Sequence, residues 1–415
     1  MLGASPARPA PVTESERIES IDVLRGFAVL GILIMNIQSF AMVGATYLNP
    51  TALGPPSTID YAIWLVSHVV ADRKFMTIFS MLFGAGVILM ASRAEARGAR
   101  PGPVHFRRML ILLVLGIMHA YLLWYGDILF HYAVCGALIY PCRRWRPATL
   151  IVVGLMVTGV ASGLSLLFGL SMPHWPPEQI RELTTSWAPS AEAAAKEVAA
   201  YQGGWWAQMA DRVPTAVFFE TFLFAVEFLW RAGGLMLVGM GLYKLRVFSA
   251  ERSSRFYLTW VAIAAFIAIP VILYGVYRNE VADWSIKYSF FLGGQYNFWA
   301  SILVSMAWIG LVMLVYKHHV ARWATRLLAA AGRMALTCYL LETVLCTFVF
   351  YGHGLALFGK VGRVGQIAVL LGVWAVLLAF SAVWLRRFRF GPAEWLWRML
   401  TYLHTPPMRR GSPLG

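Results

Sequence analysis

Charge is what this chain has least of. Asp, Glu, Lys and Arg make up 13% of its 415 residues, against about 25% in an ordinary soluble domain. Acidic residues are the scarcer half, 20 against 35 basic, which leaves a formal net charge of +15. Cysteine is rarer still. Cys135, Cys142, Cys338 and Cys346 form no CxxC and have no histidine at zinc-ligand spacing. A disulfide framework and a metal centre are therefore not expected, and the four read as small apolar packing residues. No internal repeat is evident, which counts against a transporter built from repeated halves. A cleavable signal is not expected either. The chain opens Pro- and Ala-rich, carries Glu14, Glu16 and Glu19, and runs into an apolar stretch too long for an h-region.

What the chain has instead is hydrophobic length, with 59% of residues apolar. Ten stretches stand out, near 24–44, 74–92, 108–125, 128–141, 148–170, 218–242, 256–276, 298–316, 332–351 and 365–385. A hydrocarbon core about 30 Å thick takes about 20 apolar residues of helix to cross. Only helices or closed barrels satisfy their backbone in lipid, and these stretches are too long and too evenly apolar for barrel strands. The expected fold is an all-α polytopic transmembrane bundle of about ten spans, with the lipid bilayer as its first partner. The basic residues divide unequally between its two sides. With the N-terminus inside, 25 fall on inner segments and nine on outer ones. This asymmetry places both termini in the cytoplasm and explains the positive charge without nucleic acid.

The chain divides into a cytoplasmic tail (1–23), an N-terminal membrane bundle (24–276) with a large outer loop at 171–216, a C-terminal membrane part (277–386), and a cytoplasmic segment (387–415). A helix is expected over Ile59–Val70, either along the interface or dipping into it. The outer loop is broken by Pro173, Pro176, Pro177 and Pro189, with an Ala-rich helix near 190–201. Its Trp205 and Trp206, with Trp64 and Trp284 elsewhere, fit an aromatic belt. In the tail, Pro392 opens a helix expected to lie on the inner surface.

A charge at mid-span costs about 2.5–3.5 kcal/mol on insertion scales, so each needs a partner, a cavity or a task. Arg25 and Asn36 are separated by three turns of the first span, about 16 Å on one face. Arg108 and His119 repeat that spacing in the third. Asp127 follows the turn at Gly126, and His131 is one helical turn further on. His119, Asp127 and His131 are thus placed to converge near the outer leaflet. A carboxylate beside an imidazole fixes its tautomer and raises its basicity, as a general base requires. The plainer alternative has His119 bonding a neighbouring helix while Asp127 caps the one that follows. Glu220, Glu227 and Arg231 share one face of the sixth span, the last two at the spacing of an i,i+4 ion pair. Glu342 stands mid-span without a local cation and should face the interior. His68 clusters with Asp72, Arg73 and Lys74 before the second span and is a second candidate base. The basic inner rim would attract a polyanion such as coenzyme A, although topology alone accounts for its residues.

These residues fall in motifs of a known family. The opening Arg17-Ile-Glu-Ser-Ile-Asp-Val-Leu-Arg-Gly26, continuing to Asn36, resembles that of the YeiB family of bacterial inner-membrane proteins. So do Lys74-Phe75, Phe79-Ser-Met-Leu-Phe-Gly-Ala-Gly86 and Gly116-Ile-Met-His-Ala-Tyr-Leu-Leu-Trp-Tyr-Gly-Asp-Ile-Leu129. Gly332-Arg-Met-Ala-Leu-Thr-Cys-Tyr-Leu-Leu-Glu342 and Phe390-Gly-Pro-Ala-Glu-Trp-Leu-Trp-Arg398 resemble its C-terminal signature domain of unknown function. Asp22, Arg25-Gly26 and the polar residue eleven positions on are similar to the first span of transmembrane acyltransferases. These include heparan-alpha-glucosaminide N-acetyltransferase and the bacterial O-acyltransferases. The latter carry histidine where this chain, like the heparan-type enzyme, carries asparagine, so Asn36 is no base.

The resemblance implies an acyltransferase in the bacterial inner membrane, moving an acyl group from a cytoplasmic donor such as acetyl-coenzyme A to an envelope glycan or lipid. His119, oriented by Asp127, or else His68, would be the base. Asn36 would bond the oxyanion, and Arg25 and Arg108 would hold donor phosphates. A transporter or flippase would use Glu342, Glu227 and Arg231 as proton or substrate sites. A non-catalytic assembly partner would use all of them for packing. An oligomer is compatible with each reading.

Overall fold

The computed structural model describes residues 17–410. Arg8, Glu14, Glu16 and the remainder of both tails lie outside them. In chain order, α1 (Glu19–Ala41) is followed by α2 (Thr58–Val70), α3 (Lys74–Ala96), α4 (Pro101–Leu122), α5 (Leu129–Ile139) and α6 (Pro147–Ser171). The outer loop contributes α7 (Pro177–Trp187) and α8 (Ala191–Gln202). Next, α9 (Met209–Phe218) leads through a π-helical stretch, Phe219–Phe228, into α10 (Leu229–Lys244). The C-terminal part comprises α11 (Ser254–Ile263), α12 (Ile269–Val281), α13 (Ile286–Tyr288), α14 (Gly294–Lys317), α15 (Arg322–Arg333), α16 (Ala335–Phe350), α17 (Arg363–Arg387) and α18 (Pro392–Tyr402). The architecture is an all-α polytopic bundle.

Among the described residues, eight helical runs are long and apolar enough to cross a bilayer, and α15 with α16 makes a ninth bent by 87°. The expected span 128–141 is shorter than a regular crossing. It consists of the 11-residue α5 and a 3-10 turn, Tyr140–Arg144. This piece returns antiparallel to α4: a Cβ at Gly116 would strike the backbone of Phe130, and His105 bonds the Gly136 carbonyl at 2.9 Å. It thereby brings the chain back to the basic end.

Burial separates centre from periphery. In α1 the apolar window is 72% buried, against 22% in α17 and in the α11–α12 run, which present their faces to lipid. Contact with α1 is close enough to demand glycine. A Cβ on Gly26 would overlap the Leu328 carbonyl, and one on Gly332 the Asp22 carbonyl, the small-residue solution to helix packing in a membrane. α2 and α3 form one run of 39 residues broken at Arg73, whose φ is 65°. At about 58 Å it outreaches a core of about 30 Å, so α2 rises from the bilayer instead of lying along it. Above the membrane, Trp64, Trp187 and Trp284 pack together into an apolar cap, where a lipid-facing belt was expected. Trp206 remains outward, 81% exposed.

The bend between α15 and α16 leaves the first N–H groups of α16 inside the bundle without helical partners. Glu394 of α18 supplies them. One carboxylate oxygen accepts from Leu336 N–H at 2.7 Å and Thr337 N–H at 3.0 Å; the other accepts from the Thr337 hydroxyl at 2.6 Å. Burial pushes the Glu394 carboxyl up from its ordinary value, against these hydrogen bonds, which pull it down. Replacing Glu394 by Ala orphans three buried donors at once. The expected loss is about 3 kcal/mol or more, at about 1–3 kcal/mol for each unsatisfied buried group, read as a lowered midpoint of thermal unfolding in detergent. Glu394→Gln, which keeps one acceptor, should lose less.

Candidate functional site

A cavity of about 270 Å³ opens at the basic end between α1, α3, α4, α16 and α18. Arg17, Arg25, Arg93, Arg108, Arg333 and Arg398 border it, with Asp22 and Glu394 as its carboxylates. Both carboxylates are engaged, Asp22 by Arg25 at 2.8 Å and Glu394 by the start of α16. The Arg108 guanidinium lies 4.5 Å over the Trp397 ring, whose indole N–H donates to the Arg108 carbonyl at 3.1 Å. Burial above all, aided by Arg108 and Arg17 and opposed by Tyr402 and Glu394, pulls the Arg398 guanidinium down to about 10. Guanidinium groups crowded until they disfavour one another's charge form a site that an anion relieves.

Inward from this rim the walls are apolar, with Phe83, Val87, Met109, Leu112 and Leu129 among them, and the deep end is closed by Phe79, Ile128, Tyr132 and Tyr339. From Arg93 to Phe79 the wall formed by α3 rises about 21 Å, most of the way through a core of about 30 Å.

Behind Tyr339 lies His119, their ring centroids 5.0 Å apart. His119 Nδ1 is 3.0 Å from Asp127 Oδ1, and its Nε2 is 2.9 Å from the Thr343 hydroxyl. The other Asp127 oxygen accepts the Phe130 N–H at 2.7 Å, tying it to the first turn of α5. The carboxylate thus pairs with the imidazole and caps a helix together. Each side chain is 1% exposed, and Tyr339 separates both from the cavity. His131 does not join them. Its Nε2 meets the Phe219 carbonyl at 3.2 Å, and its ring packs on Phe228.

A second histidine–carboxylate pair stands at the outer break between α2 and α3. His68 Nδ1 is 3.1 Å from Asp72 Oδ2, and its ring stacks on Trp64 at 4.9 Å. Asn297 Nδ2 donates to the same Asp72 oxygen at 2.7 Å, and Lys74 Nζ donates to Asn297 Oδ1 at 2.6 Å. Lys74 also donates to the His68 carbonyl at 2.7 Å, closing a ring of four residues. The His68 side chain is 17% exposed, and its Nε2 makes no hydrogen bond among the described residues.

The expected Glu227–Arg231 pair does not form. Glu227 sits in the π-helical stretch, whose wider turn removes the i,i+4 register, and it pairs with Arg73 instead. Arg231 is buried alone. It donates to the Phe298 carbonyl at 3.0 Å and to Ser301 at 2.8 Å, and lies 4.3 Å over the Phe298 ring. Glu342 faces the interior as expected, with one carboxyl oxygen lacking a hydrogen-bond partner among the described residues. Arg25 and Arg108 both border the cavity. Asn36 is half-buried and outside its lining, so the α1 stripe meets the cavity only at its inner end. Sequence reasoning did not find Tyr339, Tyr132 or the Glu394 cap; Tyr339 and Glu394 lie within the two C-terminal motifs. Among the described residues no three His, Cys, Asp or Glu side chains gather as a metal site.

These features define a multi-pass α-helical membrane protein with a deep, arginine-rimmed cavity at its basic end. Residues 242–404 match the family model described as "Protein of unknown function (DUF418)". The chain is 32% identical to "Uncharacterized protein YeiB" of Escherichia coli (strain K12) over 93% of its own length and 96% of that protein. It is 31% identical to "Uncharacterized protein YxaH" of Bacillus subtilis (strain 168), over 96% and 98% of the two chains. The chain belongs to the YeiB family.

The two histidine pairs differ in a way that chemical modification reads. Diethyl pyrocarbonate on membranes, followed by peptide mass spectrometry, should modify His68 and spare His119. Each 1.4 kcal/mol of local opening that His119 requires slows it about tenfold. Equal rates would mean that the His119 site is open.

Proposed function

We propose that the protein is a transmembrane acyltransferase of the inner membrane, drawing an acyl-coenzyme A donor into the cavity from the cytoplasm. The observation that supports this most is the cavity's polarity: guanidinium groups at the mouth, apolar walls, and a histidine–carboxylate pair behind the deep end. Arg25 and Arg108, with Arg398, hold the donor phosphates, and the acyl arm lies against Phe83, Leu112 and Leu129. An acceptor hydroxyl or amine, from an envelope glycan or lipid, loses its proton to His119 as it attacks the thioester carbonyl. Asp127 steadies the imidazolium so formed. The C–S bond then breaks, and the thiolate leaves as coenzyme A with that proton. His119 must first release Thr343, and Tyr339 must turn aside. Asn36 carries the oxyanion role on the family resemblance alone.

The same apolar, basic-mouthed cavity also suits a flippase for an anionic lipid, for which Glu342 is the buried acid to examine.

Equilibrium binding of acetyl-coenzyme A to the purified protein in detergent tests the donor site. Arg25→Ala and Arg108→Ala should each weaken binding about tenfold or more, the value of one charge-assisted contact of about 1.5–3 kcal/mol. Transfer of labelled acetyl to an envelope extract should be lost in His119→Ala. A protein that binds no coenzyme A overturns this reading, and anionic-lipid binding in its place favours the flippase.

A further inference from the structure

Most of α3 from Lys74 to Ala91 is buried, yet Met76, Phe79, Phe83, Gly86 and Arg93 are all partly exposed. Their spacing of three, four, three and seven residues places them on one face of the helix. All but Met76 line the basic-end cavity. Above Met76, Arg73 pairs with Glu227, with side chains 25% and 27% exposed. Tyr47, outside the spans, reports the same group: burial and then Asp72 push its hydroxyl up, while Arg73 pulls it down. One helix face therefore carries accessible residues from the outer ion pair to the inner rim.

A single layer interrupts it, and its members are held unequally. The Tyr132 hydroxyl meets Ser80 at 2.8 Å and donates to the Met76 carbonyl at 3.1 Å. The Tyr339 hydroxyl accepts from Ile128 N–H at 3.2 Å. Phe79 has no polar tether. It packs where three apolar clusters meet and stacks 5.8 Å from Tyr132, so its ring turns about χ1 without breaking a hydrogen bond. Met76 is only about 4.5 Å further along the helix.

We propose that this face of α3 is one continuous ligand path closed by the Phe79 ring, and that Phe79 sets how far a linear acyl arm entering from the basic rim reaches toward the Arg73–Glu227 pair. The path is apolar between two charged ends and about one ring wide at the closure. It fits an unbranched chain carrying an anionic head. The identity of the arm rests on the acyltransferase reading; the path and its closure do not.

The test places a thiol just beyond the closure. Met76→Cys is made in a Cys142→Ser background, since Cys142 is the one native thiol in the described residues that is not buried. A membrane-impermeant methanethiosulfonate is applied to sealed vesicles of each orientation. With Phe79 present, Met76→Cys should react from the outer side and not from the cytoplasmic side. Adding Phe79→Ala should open it to the cytoplasmic side, while Phe79→Leu should keep it closed. Retained outer labelling in both confirms that the variants are folded. Labelling from the cytoplasmic side with Phe79 intact overturns the closure. No cytoplasmic labelling in Phe79→Ala, or no outer labelling in the starting variant, overturns the path. No coenzyme A enters the experiment, so its result is separate from the binding test above.

Discussion

The start of α16 depends on a carboxylate borrowed from another helix. A helix that begins inside a membrane bundle must find partners for its first N–H groups, because no water is at hand to take them. Glu394 provides two acceptor atoms there, and the consequences run in two directions. Toward the membrane, it sets the register of α16, and with it the positions of Tyr339, Glu342 and Thr343. Toward the surface, it pins α18, which brings Trp397 and Arg398 to the cavity mouth. One side-chain cap therefore positions both the deep end of the cavity and part of its rim. The two C-terminal motifs are joined in space through Glu394 and Thr337, which explains in physical terms why a chain would keep them together.

Much of this was legible in the sequence because it is local. Hydrophobic length reveals spans wherever a helix is straight and regular. The pairing of His119 with Asp127 follows from a tight turn at Gly126, since two antiparallel helices joined by a short loop must bring such residues side by side. The inner placement of Arg25 and Arg108 follows from the same counting. What was hidden depends on departures from regular helix or on distant partners. The 87° bend at Met334 has no proline to announce it. The π-helical stretch gives no signal in composition, yet it redirects Glu227 to Arg73 and leaves Arg231 to carbonyl, hydroxyl and ring partners. The link from Glu394 to Thr337, like the His68–Asp72–Asn297–Lys74 ring, joins segments far apart in the chain, and spacing alone does not disclose it.

The two histidine–carboxylate pairs show how the same chemistry is set to different uses by access. At His119 one ring nitrogen meets the Thr343 hydroxyl, the other lies 3.0 Å from an Asp127 oxygen without a hydrogen bond among the described residues, and the carboxylate also caps a helix. At His68 one ring nitrogen remains open, and a buried lysine balances the aspartate through Asn297. Buried ions are tolerated when their desolvation is offset by hydrogen bonds in good geometry, and the Asp72–Asn297–Lys74 chain meets that condition. The first lies behind the cavity at the basic end and the second at the outer end of the same bundle.

A reaction across a membrane has to reconcile a polyanionic donor that stays at the cytoplasmic surface with an acceptor that never crosses. The energetic difficulty lies in the head group, since moving phosphates into the hydrocarbon would cost far more than binding returns. A rim of arginines removes that difficulty by holding the charge where water still reaches it. Only the uncharged arm then needs to enter, and an apolar cavity about 21 Å deep along α3 accepts it at little cost. What remains is the aromatic layer at the deep end, where Phe79 and Tyr339 would move as single rings and not as a domain. A flippase would face the opposite requirement, because its anionic head must pass that gap. The aromatic layer offers such a head no hydrogen-bond donor left unengaged, whereas it offers an acyl chain a surface of matching polarity. On the acyltransferase reading, a closure of this kind suits transfer of a group along the path better than transport of the whole molecule through it.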